Sequence, residues 1–320
     1  MEKRPDISEI RASHQRIHLY IHKTPVLTCN GLDEIVGTKL FFKCENFQKS
    51  GAFKFRGACN TIFSLPEDNA AKGVVTHSSG NHAAALSLAA RTRGITARIV
   101  MPSTAPRVKI EAVKNYGGII TFCEPTLESR ESTAAKIIQE TGATMIHPYN
   151  NYQIITGQGT TALELLEEIP DLDFVFAPIG GGGLLSGTAI TAKALNPKIK
   201  VIGCEPKNAD DAFRSMQAGK IIPSQNPKTI ADGLKTSLGD KTFPIIRDLV
   251  DEIALVSEEE IVHAMRYIFE RMKMIVEPSS AVAFAVPLFK KIKVDNKKLG
   301  IIISGGNVDF NKYFDRMIYV

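Results

Sequence analysis

The sequence predicts an α/β fold of two lobes, in which parallel-type sheets are flanked by helices. Short apolar, β-branched runs alternate along the chain with segments whose apolar residues recur every three or four positions. Several of these runs end directly in glycine or serine clusters, which is typical of strand-to-loop junctions in such folds. A chain of 320 residues, of which 44% are hydrophobic and 23% charged, is long enough to bury the cores of two lobes.

The individual elements follow from these patterns. Seven β-branched runs are predicted strands: Leu40–Cys44, Gly73–Thr76, Ala97–Met101, Ile119–Phe122, Phe174–Pro178, Val201–Glu205 and Gly300–Ser304. Six segments with helical periodicity are predicted helices: Ile7–Ile21, Asn81–Arg93, Val108–Tyr116, Ser129–Thr141, Gly183–Leu195 and Glu258–Lys273.

Composition narrows the classes of protein. The chain has no run of eighteen apolar residues, and its charged N-terminus lacks an apolar signal segment, so we expect a cytoplasmic protein that does not associate with membranes. The net charge is +5, but the basic residues are scattered, so no nucleic-acid partner is expected. The five cysteines form no C-x-x-C pair, which indicates reduced thiols. His14, His18 and His22 lack a metal-binding partner of known spacing, which favours a stripe on a helix surface.

Three predicted strands end in clusters of small or polar residues. The clusters span residues 77–81, 180–183 and 304–307. Ligands of open α/β sheets bind at the carboxyl ends of the strands, so we expect the three clusters to line one cleft.

Four consecutive glycines, Gly180, Gly181, Gly182 and Gly183, lie between a predicted strand and a predicted helix. Because glycine lacks a Cβ atom, successive backbone N–H groups can face inward, and the helix adds the positive end of its dipole. The segment therefore suits a phosphate group. It fits neither the G-x-G-x-x-G pattern nor a Walker motif, and a flexible tight turn is the alternative interpretation.

Lys54 stands between two phenylalanines, just after a serine-glycine signal for the start of a helix. A lysine removed from water has a lowered pKa, and its neutral amine is available for Schiff-base chemistry. The alternative is a solvated surface lysine, which is the commoner environment for this residue type.

Five motifs together resemble fold-type II enzymes that depend on pyridoxal 5'-phosphate (PLP). They are S-G-A-F-K-F-R-G-A, H-S-S-G-N-H, G-G-G-G-L, C-E-P-K-N-A-D-D and I-S-G-G-N, in family order, and the resemblance runs from about residue 25 to residue 309. The match is to the tryptophan-synthase-β-like group, in its serine/threonine dehydratase branch. It implies a large PLP-binding domain formed by residues 1–67 and 150–320, and a small mobile domain of residues 68–149 that carries the substrate loop.

The resemblance also assigns roles to individual residues. Lys54 would carry PLP as a Schiff base, and Asn81 would donate a hydrogen bond to the 3'-oxygen of the cofactor. Ser304 would face the pyridine nitrogen, and a neutral hydroxyl there would leave that nitrogen largely unprotonated. The full set of implied cofactor-binding residues is Phe53, Lys54, Asn81, Gly180, Gly181, Gly182, Gly183, Leu184 and Ser304.

The segment Ser78, Ser79, Gly80, Asn81 and His82 would be the substrate-binding loop. It opens a helix whose N–H groups can receive the carboxylate of an amino acid, whereas an ordinary serine N-cap is the alternative for either serine. In the family pattern, racemases carry serine at the position of Ser79 and simple dehydratases usually carry a small apolar residue. Ser79 would therefore be the second acid/base, on the face of the cofactor opposite Lys54.

Two further sites follow from the resemblance. Glu205, Asp211 and the carbonyl of Ala209 would bind Mg²⁺ or Ca²⁺, whose preferred ligands are oxygens, although a solvated acidic turn is the alternative. ATP is a possible effector, for which Lys49 and Asn307 stand in matching motifs.

The activity implied by the resemblance is the interconversion of L- and D-serine, accompanied by β-elimination of serine to pyruvate and ammonia, in a homodimer. A dedicated L-serine/L-threonine dehydratase is the alternative among enzymes. A PLP-binding protein without turnover is the alternative outside them.

Overall fold

The computed structural model describes residues 3–309, which form ten strands and thirteen α-helices. The strands are β1 (Val26–Leu27), β2 (Lys39–Cys44), β3 (Val74–His77), β4 (Ala97–Pro102), β5 (Ile119–Cys123), β6 (Thr144–Met145), β7 (Phe174–Pro178), β8 (Lys200–Pro206), β9 (Glu252–Val256) and β10 (Lys298–Ile303). The helices are α1 (Ile7–Ile17), α2 (Asn30–Val36), α3 (Lys54–Ser64), α4 (Glu67–Ala71), α5 (Asn81–Arg93), α6 (Arg107–Asn115), α7 (Leu127–Thr141), α8 (Tyr152–Glu168), α9 (Gly183–Leu195), α10 (Asp211–Ala218), α11 (Thr242–Leu249), α12 (Glu258–Tyr267) and α13 (Pro278–Leu288).

The larger sheet has six strands in the order β1-β2-β10-β7-β8-β9. Only β1 runs antiparallel to its neighbour, and the other five strands are parallel. The interior strand β10 is apolar from Leu299 to Ile303 and buried along that length, as expected for a parallel strand covered on both faces. The loops that follow β7 and β10 therefore emerge at the same edge of this sheet.

The smaller sheet has four parallel strands in the order β5-β4-β3-β6. Its apolar cores are formed with α3, α5 and α6 in one cluster and with α7 in another. All four strands lie between residues 74 and 145, within the segment assigned to the small domain. The domain limits themselves stay a prediction, and their outermost parts, residues 1–2 and 310–320, lie outside the described residues.

The structure confirms the predicted fold class, and each predicted strand is present to within two residues at either end. Two predicted helices were too long. The helix predicted over residues 7–21 ends at Ile17, although Ile21 packs into the same core as Ile17. The helix predicted over residues 258–273 ends at Tyr267 and continues as a π-helical turn to Met272. In the first case apolar residues continue at helical spacing after the helix has ended at Ile17, because the chain beyond it still packs against the core.

Two largely buried helices, α8 and α13, were not predicted from the sequence. Helix α8 is buried over most of its length, and its small residues allow neighbouring helices to approach closely. A Cβ atom on Gly157 would lie 2.6 Å from the Cα of Gly57 in α3, so the two helices touch through their backbones. Helix α13 is apolar on all sides, and a buried helix of this kind shows no amphipathic period. None of the helices within residues 3–309 is both long and apolar enough to cross a bilayer.

Candidate active site

Lys54 is the first residue of α3. Its Nζ donates a hydrogen bond to the carbonyl oxygen of Pro148 at 3.0 Å and lies 5.1 Å from the centre of the Phe53 ring. The backbone N–H of Phe53 donates to the carbonyl oxygen of Ser304 at 2.9 Å, which ties the start of α3 to the end of β10. Burial lowers the pKa of Lys54 to about 8, and the nearby Glu277 carboxylate opposes this shift.

The lowered pKa of Lys54 gives a direct prediction for the cofactor-free protein. Covalent capture of the PLP aldehyde should become faster with rising pH, with a midpoint near 8, because only the neutral amine attacks and an ordinary lysine is neutral only above about 10.4. The measurement is the rate of capture from pH 6 to 10, with borohydride reduction and peptide mapping to locate the label. A midpoint near 10, or a label on another lysine, would contradict the assignment.

A buried network of four charged side chains holds the first turn of α3 in place. Arg56 contacts Glu45 and Glu164 at 2.7 Å, and Lys43 contacts the same oxygen of Glu164 at 2.6 Å. Two cations and two anions compensate one another, which a buried ionic group requires. Because Arg56 is two residues from Lys54, the network fixes the position from which the Lys54 side chain extends.

The four glycines form a buried turn between β7 and α9. Gly182 has a φ of 87°, a left-handed conformation that favours glycine. A Cβ atom on Gly181 would lie 2.3 Å from ring carbons of Tyr149, so no larger residue fits there. The first N–H groups of α9 have no partner within the helix and, with the helix dipole, form a cradle that fits a phosphate.

Residues 148–149 join Lys54 to this glycine turn. The carbonyl oxygen of Pro148 accepts from Lys54, and the ring of Tyr149 packs against Gly181. Sequence reasoning missed both residues. The available signal was that they follow β6, which runs parallel to β3, the strand that leads into residues 77–81.

The loop between β3 and α5 carries the predicted substrate residues. The Ser78 hydroxyl accepts a hydrogen bond from the N–H of Gly80 at 3.3 Å, whereas Ser79 is half-buried in the same bend. Asn81 begins α5, and its side-chain oxygen accepts from the amide of Asn307 at 3.0 Å. The 77–81 and 304–307 clusters are thus in direct contact. The glycine cluster is linked through residues 148–149 to Lys54, whose neighbour Phe53 is bonded to Ser304.

Three histidine side chains gather beside Lys54. The rings of His77 and His147 are 6.1 Å apart, and His82 is buried at the start of α5. Burial lowers the pKa of all three, to about 4 for His147 and well below the usual value for His82, and for His82 and His147 the nearby Lys54 adds to the shift. They are therefore neutral at physiological pH.

The predicted metal ligands lie together at one end of the larger sheet. Glu205 is in β8, and its two oxygens accept from the N–H groups of Ala212 and Phe213 at 2.9 Å. Within residues 3–309, both carboxylate oxygens of Asp211 are buried without a hydrogen-bond partner. Burial raises the pKa of Asp211 to about 6 and that of Glu205 to about 8. Arg214 offsets only part of the cost of burying these carboxylates, so a hard divalent ion suits them, and Ala209 is buried next to them.

The remaining predicted residues surround the same cleft. Leu184 and Ser304 are buried at the start of α9 and the end of β10. Asn307 lines a cavity of about 240 Å³ together with Ser50 and Tyr116, and Lys49 is adjacent to Ser50 in the chain.

Comparison with known proteins agrees with the geometry of this site. Residues 17–305 match the family described as pyridoxal-phosphate dependent enzyme. The chain therefore belongs to the family of PLP-dependent enzymes and has the fold-type II architecture.

Within that family, this chain is similar to the serine racemase of Arabidopsis thaliana, with 54% identity over 97% of this chain and 95% of the relative. It is similar to the beta-hydroxyaspartate dehydratase of Paracoccus denitrificans, with 51% identity over 96% of this chain and 98% of the relative. The solved structure of maize serine racemase superposes with a TM-score of 0.95 at 50% identity, covering 99% of this chain and 98% of the maize chain.

Proposed function

We propose that this chain is a PLP-dependent serine racemase that also eliminates the β-hydroxyl of serine, releasing pyruvate and ammonia. The observation that carries the proposal is the convergence of Lys54, the buried glycine turn and Asn81 on one cleft. Serine is chosen as the substrate because the serine racemases of Arabidopsis thaliana and maize are 54% and 50% identical to this chain over nearly its whole length.

In this proposal PLP, when bound, withdraws electrons from the substrate and so makes the α-proton removable. The glycine turn holds its phosphate, and Asn81 and Ser304 orient its ring. The N–H groups at the start of α5 bind the substrate carboxylate. Lys54 removes or returns the proton on one face and Ser79 on the other, so that sequential action inverts the α-carbon. When the β-hydroxyl departs after proton removal, elimination results instead.

A dedicated dehydratase is the second candidate. The similarity to a beta-hydroxyaspartate dehydratase at 51% identity favours it, because that relative covers as much of this chain as the racemases do. A PLP-binding protein without turnover is a more distant alternative, against which Lys54, Ser79 and Ser304 all argue.

Incubation with L-serine separates the three alternatives. Chiral chromatography measures D-serine, and a pyruvate assay measures elimination in the same sample. A racemase is expected to produce D-serine at a rate comparable with pyruvate. Pyruvate without D-serine would identify a dehydratase, and neither product would leave only a binding function.

We propose further that Glu205, Asp211 and the carbonyl of Ala209 hold Mg²⁺ or Ca²⁺, with water molecules completing the coordination. The unpartnered oxygens of Asp211 support this site, since an ion would compensate their burial.

Added Mg²⁺ is therefore expected to stabilise the protein against unfolding by about 2.7 kcal/mol when the ion is present at a hundred times its dissociation constant. Thermal melts with EDTA and with Mg²⁺ should differ for the wild type and coincide for Asp211→Ala. Asp210→Ala is the matched control, because Asp210 is engaged by Arg214 at 2.8 Å and should leave the ion effect intact. Identical wild-type melts with EDTA and Mg²⁺ would rule out the ion site and leave Glu205 and Asp211 as buried carboxylates with a structural role.

We also propose a nucleotide effector site near Lys49 and Asn307, supported by the cavity beside Asn307 and the positive charge of Lys49. We also propose a second copy of this chain as the partner, since Phe47, Phe269 and Ile275 expose 45–47% of their surface. The proposed location is the cytoplasm. Equilibrium sedimentation with and without ATP tests the assembly and the effector together.

A further inference from the structure

Glu277 is a buried carboxylate in the cleft. The proposed reaction gives it no role. It is 4% exposed and lies immediately before α13, and its N–H donates to the carbonyl oxygen of Gly305 at 3.1 Å. Its two oxygens accept from the side-chain amide of Asn81 at 2.9 and 3.0 Å. A buried charge whose contact is a neutral amide is costly, so its presence calls for a reason.

The amide of Asn81 is held in one orientation by groups on both sides. Its oxygen accepts from the amide nitrogen of Asn307, which also donates to the carbonyl oxygen of Ser50 at 2.8 Å. This series of hydrogen bonds ends in an acceptor on each side, the Ser50 carbonyl on one and the Glu277 carboxylate on the other. Turning the Asn81 amide over would set its oxygen against the carboxylate and its nitrogen against the nitrogen of Asn307. Hydrogen bonds on both sides therefore fix the same orientation of the Asn81 amide.

This orientation leaves one N–H of Asn81 unused. The two oxygens of a single carboxylate lie too close together to engage both N–H groups of an amide, which diverge at the sp² nitrogen, so they share one of them. The second N–H is available to an oxygen in the cofactor pocket, where Asn81 is assigned the 3'-oxygen of PLP.

We propose that Glu277 is a positioning residue, which orients the Asn81 amide across the gap between α13 and α5 and thereby sets how tightly the cofactor is held. The inference rests on the proposed cofactor site and deepens it. It gives the buried carboxylate a function that packing alone does not require.

The charged groups around Glu277 make its effect depend on pH. They are Lys54 from α3, Lys109 from α6 and Asp232 from the short turn Asp232–Leu234. Lys109 and Asp232 are paired with each other, so their effects on Glu277 largely cancel. Burial raises the pKa of Glu277 to about 7, so the carboxylate is charged at pH 8 and mostly protonated at pH 6. A protonated Glu277 is a weaker acceptor for Asn81, because hydrogen bonds to charged groups are the stronger ones.

The test compares the dissociation constant of PLP for wild type and Glu277→Gln by equilibrium dialysis at pH 6, 7 and 8, in the absence of serine. At pH 8 the variant is expected to bind PLP about tenfold more weakly, the loss of one hydrogen bond to a charged group. At pH 6 the two proteins should agree within about twofold, since both then present a neutral group. The melting temperature of the cofactor-free variant at pH 8 should not fall, because a buried charge has been removed.

Two further variants show whether the effect passes through Asn81. In an Asn81→Ala background, Glu277→Gln should no longer change the affinity, as a double-mutant cycle requires of coupled residues. Asn307→Ala, which keeps Glu277, should weaken binding by a few-fold and provides the test if Glu277→Gln does not fold.

Equal PLP affinity of wild type and Glu277→Gln at pH 8 would overturn the proposal, as would an equal loss at every pH or an undiminished loss in the Asn81→Ala background. A lower melting temperature of the cofactor-free variant would indicate a structural role instead. Because no step of the test uses serine, failure of the proposed racemase activity is a separate result.

Discussion

Replacing Lys54 with alanine is expected to abolish covalent attachment of PLP and to lower serine turnover by at least ~10⁴-fold, the upper range for a positioned acid or base. Lys54 serves two functions in the proposed reaction, since it holds the cofactor and carries the proton on one face. Its amine contacts the Pro148 carbonyl beside the glycine turn. Alanine removes both functions and leaves the phosphate cradle intact.

The variant should therefore still bind PLP, but reversibly. Dialysis after borohydride treatment should retain the cofactor on wild type and release it from Lys54→Ala. Lys198→Ala is the control, because Lys198 is exposed and precedes the amino end of β8, whereas the cleft lies at the carboxyl ends of the strands, so both attachment and turnover should be unchanged. Retention of the label by Lys54→Ala would show that another lysine carries the cofactor.

Ser79→Ala is expected to remove interconversion of the serine enantiomers and activity on D-serine, with a loss of ~10²–10⁴-fold, and to retain much of the elimination from L-serine. In the proposed arrangement the α-hydrogen of an L-amino acid faces Lys54, whereas that of the D-enantiomer faces Ser79. The measurement is the rate of pyruvate and opposite-enantiomer formation from each enantiomer separately.

Ser78→Ala is the matched control for Ser79. The Ser78 hydroxyl accepts from the N–H of Gly80 and so supports the bend itself. Its removal should lower the rates for L- and D-serine by similar factors, because a looser loop affects both substrates. D-serine formation by Ser79→Ala within a few-fold of wild type would mean that water or another side chain reaches that face.

The strands and the loops proposed to bind the cofactor were predictable from local sequence. Strand β10 is a continuous apolar run, and the glycine turn is visible in the sequence as four consecutive glycines. Both signals arise within a few adjacent residues, so no knowledge of distant contacts is needed. Helix α13 was missed for the opposite reason, because its burial on all sides removes the amphipathic period.

The sequence alone was sufficient to predict the class of fold, the glycine turn and the candidate lysine, because each of them depends on residue type and local spacing. The tertiary structure decided the partners of those residues. The ring of Tyr149 packs against Gly181 in the glycine turn. The carboxylate of Glu277 orients the amide of Asn81, although the two residues are 196 positions apart in the sequence. Burial also set the lowered pKa of Lys54 and the raised pKa of Glu277. Contacts and desolvation of this kind arise only when distant segments pack together, so no local pattern contains them.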